Sequence, residues 1–120
     1  MSNVCLGNIN DIADGQAKGF DPALSGNDTV FVVRQGEQLY AFQDICPHYN
    51  STSLPWKRHQ YLDASSSYIV CAAHGALFDI QTGLCVRGPC AGQSLNNIPV
   101  EVDENQNIWL DLAHIKELEA

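Results

Sequence analysis

Tyr68-Ile69-Val70-Cys71-Ala72-Ala73-His74-Gly75-Ala76-Leu77-Phe78-Asp79-Ile80 decides how this chain is read. A β-branched and aromatic run leads straight into a cysteine, a histidine follows three positions later, and a second apolar run leaves. Gly75 lets the chain turn tightly after His74. Upstream, Cys46-Pro47-His48 repeats the pairing of one cysteine with one histidine, and Pro47 stiffens that loop. Residues two apart point to different sides of a helix, so Cys46 and His48 converge only from a folded loop. Cys46, His48, Cys71 and His74 together form a complete ligand set for a metal centre. Zinc accepts two thiolates and two imidazoles tetrahedrally. Its common layouts, however, put two cysteines in one knuckle and two histidines in the other. Loops that each give one sulfur and one nitrogen suit a centre with two distinct metal positions.

Around these pairs the chain reads as short strands separated by turn signals, the pattern of an all-β sandwich or barrel. Val30-Phe31-Val32-Val33 and Leu39-Tyr40-Ala41-Phe42 flank Gln35-Gly36-Glu37 and predict a hairpin. Ala76–Ile80 and Leu84-Cys85-Val86 flank Gln81-Thr82-Gly83 and predict a second. Ile98–Val102 and Ile108-Trp109-Leu110, on either side of the polar run 103–107, predict a third. Asp14-Gly15-Gln16 reads as a turn, and 49–67 is the least strand-like stretch. From Asp111 onward Leu112, Ile115 and Leu118 form an amphipathic stripe, which predicts a short C-terminal helix with Asp111 as N-cap.

At 120 residues the chain is expected to be one domain, 1–120, large enough to bury a core without disulfides. Six basic against 14 acidic residues give a formal charge of −8, which argues against nucleic acid and for basic partners steered electrostatically. No apolar run reaches the length of a membrane span, and the first residues lack a signal-peptide layout, so a reducing cytoplasm is expected. Five cysteines are an odd number, so Cys5, Cys85 and Cys90 are expected to be thiols rather than parts of a disulfide framework.

The two pairs and their surroundings resemble the Rieske-type [2Fe–2S] ferredoxins, whose signature is Cys-x-His followed by Cys-x-x-His. The 22 residues from 49 to 70 between His48 and Cys71 are at the long end for that family. Phe42-Gln43-Asp44, His74–Asp79 and Thr82-Gly83 extend the likeness, and Gly88-Pro89 falls where the family has its cluster-covering proline loop; the similarity runs from about Val4 to Leu110. The resemblance implies one [2Fe–2S] cluster, with Cys46 and Cys71 on the inner iron and His48 and His74 on the outer. It implies an all-β fold: an antiparallel sandwich of three small sheets, with a cluster-binding subdomain from about Asp44 to Pro89 inserted into a larger base and the helix added at the C-terminus. It further implies an electron carrier, not an enzyme, that takes an electron from a reductase and gives it to an oxygenase-type acceptor. The alternatives are a redox-sensing or regulatory module and a structural zinc protein. A complete oxygenase is not expected, since only His59 and His114 remain for a mononuclear iron site.

High-potential members of the family carry an extra cysteine in each ligand loop; here those positions are Ser51 and Ala73. They also carry serine and tyrosine hydroxyls at what are here Ala76 and Phe78. Fewer donors to sulfur imply a potential low in the Rieske range. Among the other residues, His59 is expected to be a solvated loop histidine, Lys57 and Arg58 ordinary surface charges or contacts to an acidic partner, and Trp56 a shield for the cluster. Trp109 is expected in the core, and Cys90 near the covering loop.

Overall fold

The computed structural model describes residues 3–22, 26, 28–45, 59, 61–71, 75–88 and 92–115. Nine strands carry the described part: β1 (Asn3–Asn8), β2 (Ala17–Phe20), β3 (Val30–Gln35), β4 (Gln38–Gln43), β5 (Tyr68–Cys71), β6 (Ala76–Asp79), β7 (Cys85–Arg87), β8 (Val100–Val102) and β9 (Asn107–Asp111). They form three antiparallel sheets of three strands, in the orders β1-β9-β8, β2-β3-β4 and β5-β6-β7.

The middle layer is β2-β3-β4, and β3 explains why. Val30, Phe31, Val32 and Val33 are all fully buried, as a continuous β-branched and aromatic run requires when both faces of a strand are covered. Because side chains alternate along a strand, Val30 and Val32 enter one core with Ile12, Phe20, Ala41, Ile98, Ile108 and Leu110. Phe31 and Val33 enter the other, with Phe42, Tyr61, Ile69, Cys71, Phe78 and Cys85. Each fully buried Val or Phe side chain contributes about 1.5–3 kcal/mol. The first core joins the middle sheet to β1-β9-β8, and the second joins it to β5-β6-β7.

All three hairpins expected from the sequence are present. Gln35 pairs with Gln38 across a two-residue turn, Phe78 pairs with Cys85, and Val102 pairs with Ile108. The last turn is built on Asp103, whose carboxylate accepts from the amides of Asn105 and Asn107 and from the Trp109 indole N–H, each at 2.9 Å. These bonds, the Trp109 contact first, hold the Asp103 carboxyl below its ordinary range.

Three expectations need correction. Trp109 is 37% exposed on the outer face of β9, because period-two alternation gives the core to Ile108 and Leu110. β1 and β2 were not expected; Ala17-Lys18-Gly19-Phe20 has little intrinsic strand preference and is held by its pairing with β3. Beyond β9 the described chain makes one 3-10 turn, Leu112–His114, rather than an α-helix. Asp111 does cap it, accepting from the Ala113 amide at 2.9 Å, and Leu112 and Ile115 pack on the first core. Residues 116–120, with Leu118, lie outside the described residues. Among the described residues no helix is long and apolar enough to cross a membrane.

Candidate metal centre

Of the four expected ligands, Cys71 is described; Cys46, His48 and His74 lie outside the described residues, as do Trp56, Lys57, Arg58 and Cys90. Cys71 ends β5 at 1% exposure and pairs with Ala76, the first residue of β6. Its carbonyl accepts from the Gly75 amide at 2.8 Å, and Gly75 sits at φ 66°, a conformation that L-residues with a side chain rarely adopt. The strand pairing therefore fixes Cys71 and Gly75 on either side of 72–74, the stretch that holds His74 in sequence.

The root of the other ligand loop is just as firmly held. The Asp44 amide donates to the Thr29 carbonyl at 2.8 Å, the Gln43 amide donates to the Asn96 carbonyl at 2.9 Å, and the Ile45 amide donates to the Gln43 carbonyl at 2.9 Å. The Asn96 side-chain amide also donates to Gln43 Oε1 at 2.8 Å. Gln43 and Asp44 are the two buried polar residues of the described chain, and both are hydrogen-bonded, as burial requires.

A third segment reaches the same region. Gly88, at φ 110°, lies so close to the start of β6 that a Cβ there would stand 2.8 Å from the Ala76 Cα. Only glycine permits such an approach. The segment that leads to Pro89 is thus laid directly against the residue paired with Cys71.

Sequence reasoning passed over Tyr61, although its ring fills the core shared with Phe31, Ile69 and Cys71. It is fully buried, stacks on Phe31 with centroids 4.1 Å apart, and donates its hydroxyl to Asp44 Oδ2 at 2.9 Å. Its position in the stretch least like a strand hid it; an isolated aromatic next to Leu62 was the available signal. His59 also departs from expectation. It is part-buried with φ 70°, and its Nδ1 accepts from the Gly19 amide at 2.9 Å. The β2 backbone donor, not solvent, engages this ring. Of the remaining thiols, Cys5 is exposed, while Cys85 is buried and points at the Arg87 carbonyl at 3.3 Å.

Among the described residues no three His, Cys, Asp or Glu side chains gather as a metal site. The donor they do contribute, a buried thiol at a loop root lined by Ala76 and Phe78, is of the soft type that iron–sulfur clusters and zinc both take. Comparison separates the two: residues 2–106 match the Rieske [2Fe–2S] domain. The chain belongs to that family. A [2Fe–2S] cluster is therefore the cofactor of this Rieske domain, and the zinc alternative falls away.

Solved structures agree with the fold. The chain is similar to the ferredoxin of carbazole 1,9a-dioxygenase from Nocardioides aromaticivorans IC177, with 27% identity and a TM-score of 0.70, covering 92% of this chain and 98% of that one. A structure described as the complex of reduced oxygenase and oxidised ferredoxin in carbazole 1,9a-dioxygenase matches at 26% identity and TM-score 0.69, over 98% of this chain and 97% of that one. The Sphingomonas yanoikuyae B1 ferredoxin shares the fold at 22% identity and TM-score 0.69, covering 92% and 98%. No curated protein matches the chain.

Proposed function

We propose that this Rieske domain is a ferredoxin, an electron carrier rather than a catalyst, that receives one electron from a reductase and delivers it to an oxygenase. The observation that carries the reading is the family match over residues 2–106, which spans Cys46, His48, Cys71 and His74 in the family's order. Likeness to a dioxygenase ferredoxin over 98% of that protein's length supports the choice of partners.

Cys46 and Cys71 would hold the inner iron and His48 and His74 the outer one. When bound, the cluster supplies reversible one-electron chemistry at a potential tuned by the protein. The chain's own part is to hold the donors still. Strand pairing fixes the Cys71 root, backbone bonds to Thr29 and Asn96 fix the Asp44 root, and Gly88 seats the covering segment against Ala76. A scaffold fixed in this way limits rearrangement when charge changes. Residues 1–120 act as one domain in this reading, with about 44–89 as the cluster-binding part. The compartment proposed for it is the reducing cytoplasm.

Absorption and low-temperature EPR spectra of the purified, reduced protein test this reading, together with iron and sulfide analysis. A brown protein with two irons and two sulfides per chain and a rhombic signal of low average g is expected. A colourless protein holding one zinc refutes it.

A further inference from the structure

We infer that Tyr61 is a positioning residue that sets the spacing between the roots of the two ligand loops; this rests on the iron–sulfur reading above. One side chain and its own backbone bond to the roots of both loops, Asp44 and Val70. The Tyr61 hydroxyl donates to Asp44 Oδ2 at 2.9 Å, two residues before Cys46. The Tyr61 carbonyl accepts from the Val70 amide at 2.8 Å, one residue before Cys71. Between these two bonds lies a rigid phenol ring with no freedom to swing, since it is fully buried and stacked on Phe31 at an interplanar angle of 10°.

The surroundings are shaped to receive the hydroxyl. Gly19 in β2 leaves room that any larger residue would close: a Cβ there would stand 2.7 Å from the Tyr61 hydroxyl oxygen and 2.7 Å from Asp28 Oδ2. The Gly19 amide in turn donates to His59 Nδ1, so the segment leading into Tyr61 is fastened to the same strand. A core tyrosine needs none of this to fill volume; a phenylalanine would pack there as well. The hydroxyl is what reaches Asp44, and a hydrogen bond between a phenol and a buried carboxylate is among the stronger kinds.

The test uses the cluster-loaded protein in three variants. Tyr61→Phe keeps the ring and the carbonyl bond but loses the link to Asp44. Asp44→Asn keeps an acceptor for the hydroxyl. Phe31→Leu weakens the stacking and leaves the link in place. Measured are the rate of iron loss to a chelator, the EPR g-values of the reduced protein, and the urea midpoint of each variant without cluster. Tyr61→Phe is expected to lose iron about tenfold faster with altered g-values, and to have a somewhat lower midpoint because the buried Asp44 carboxylate loses a donor. Asp44→Asn, which keeps a neutral and weaker acceptor, should lose iron at a rate between those of the parent and Tyr61→Phe, and Phe31→Leu should have a lower midpoint with unchanged g-values.

Tyr61→Phe that retains iron and g-values like the parent overturns the inference, as does iron loss that merely tracks the urea midpoint across the three variants. Asp44→Asn that loses iron much faster than Tyr61→Phe also overturns it, because some contact of Asp44 other than the hydroxyl link would then be the operative one. Should Tyr61→Phe fail to fold, Gly19→Ala displaces the hydroxyl from the other side and is held to the same outcomes. An unaltered chain that takes up no iron and sulfide overturns both this inference and the functional reading; one that loads normally while Tyr61→Phe is silent overturns the inference alone.

Discussion

Gly88→Ala probes the close approach of Gly88 to Ala76 in β6, and its cost can be worked from two separate causes. The first is conformational: a residue with a side chain held at φ 110° carries strain of about 1–3 kcal/mol. The second is steric. The new Cβ would stand 2.8 Å from the Ala76 Cα and 3.0 Å from its Cβ, against an ordinary carbon–carbon contact of about 3.5–4.0 Å. The obstacle is backbone in a paired strand, so it cannot rotate away; overpacking of this kind costs about 1–3 kcal/mol. Since one backbone shift relieves part of both, a total loss of about 2–4 kcal/mol is expected. Gly75→Ala is the control. Its φ of 66° is also positive, but among the described residues nothing lies within 4 Å of the added carbon, so about 1–2 kcal/mol of conformational strain is what it should show. Urea unfolding of both variants without cluster, at neutral pH, reads the two losses side by side. Gly88→Ala no more destabilising than Gly75→Ala would mean that the segment does not press on β6 as described.

The remaining predictions concern charge, potential and thiol access. Asp103 is held ionised by the Trp109 indole and the neighbouring amides, so its folded-state pKa lies below the unfolded one; its stabilising effect is full above the ordinary carboxylate range and is lost as the pH falls through the folded value. Urea midpoints of Asp103→Asn and the parent should therefore differ at neutral pH and converge in strong acid, and a gap that persists there refutes the assignment. A redox titration of the loaded protein should give a potential in the lower part of the range of about −150 to +300 mV, and Phe78→Tyr or Ala76→Ser should raise it; a parent value near the top refutes the argument from missing hydroxyls. Iodoacetamide followed by peptide mass analysis should label the exposed Cys5 in the native protein and the 2%-exposed Cys85 only on unfolding; equal labelling of both would contradict the packing of Cys85.

Much of the fold was legible because its strands advertise themselves. Val30–Val33 is apolar at every position, which only a strand covered on both faces tolerates, and each expected hairpin has its turn residues in place. The strands that escaped notice are those whose stability comes from a neighbour: β2 holds a lysine and a glycine among its four residues and exists because β3 offers it a ladder. Trp109 misled because a large aromatic suggests a core, whereas its indole N–H finds Asp103 at the surface. The two Cys–His pairs stand out in the sequence as candidate donors, since sulfur and nitrogen at fixed spacing are a local property. Their support does not. Tyr61 meets Asp44 across 17 residues of sequence and His59 meets Gly19 across 40, and no local pattern reports a contact of that span.

Since alternate side chains of β3 enter the two cores, neither half can melt and leave the other standing. Heat should therefore dismantle the cluster-free protein in a single calorimetric transition, with no form accumulating in which one core has melted and the other has not.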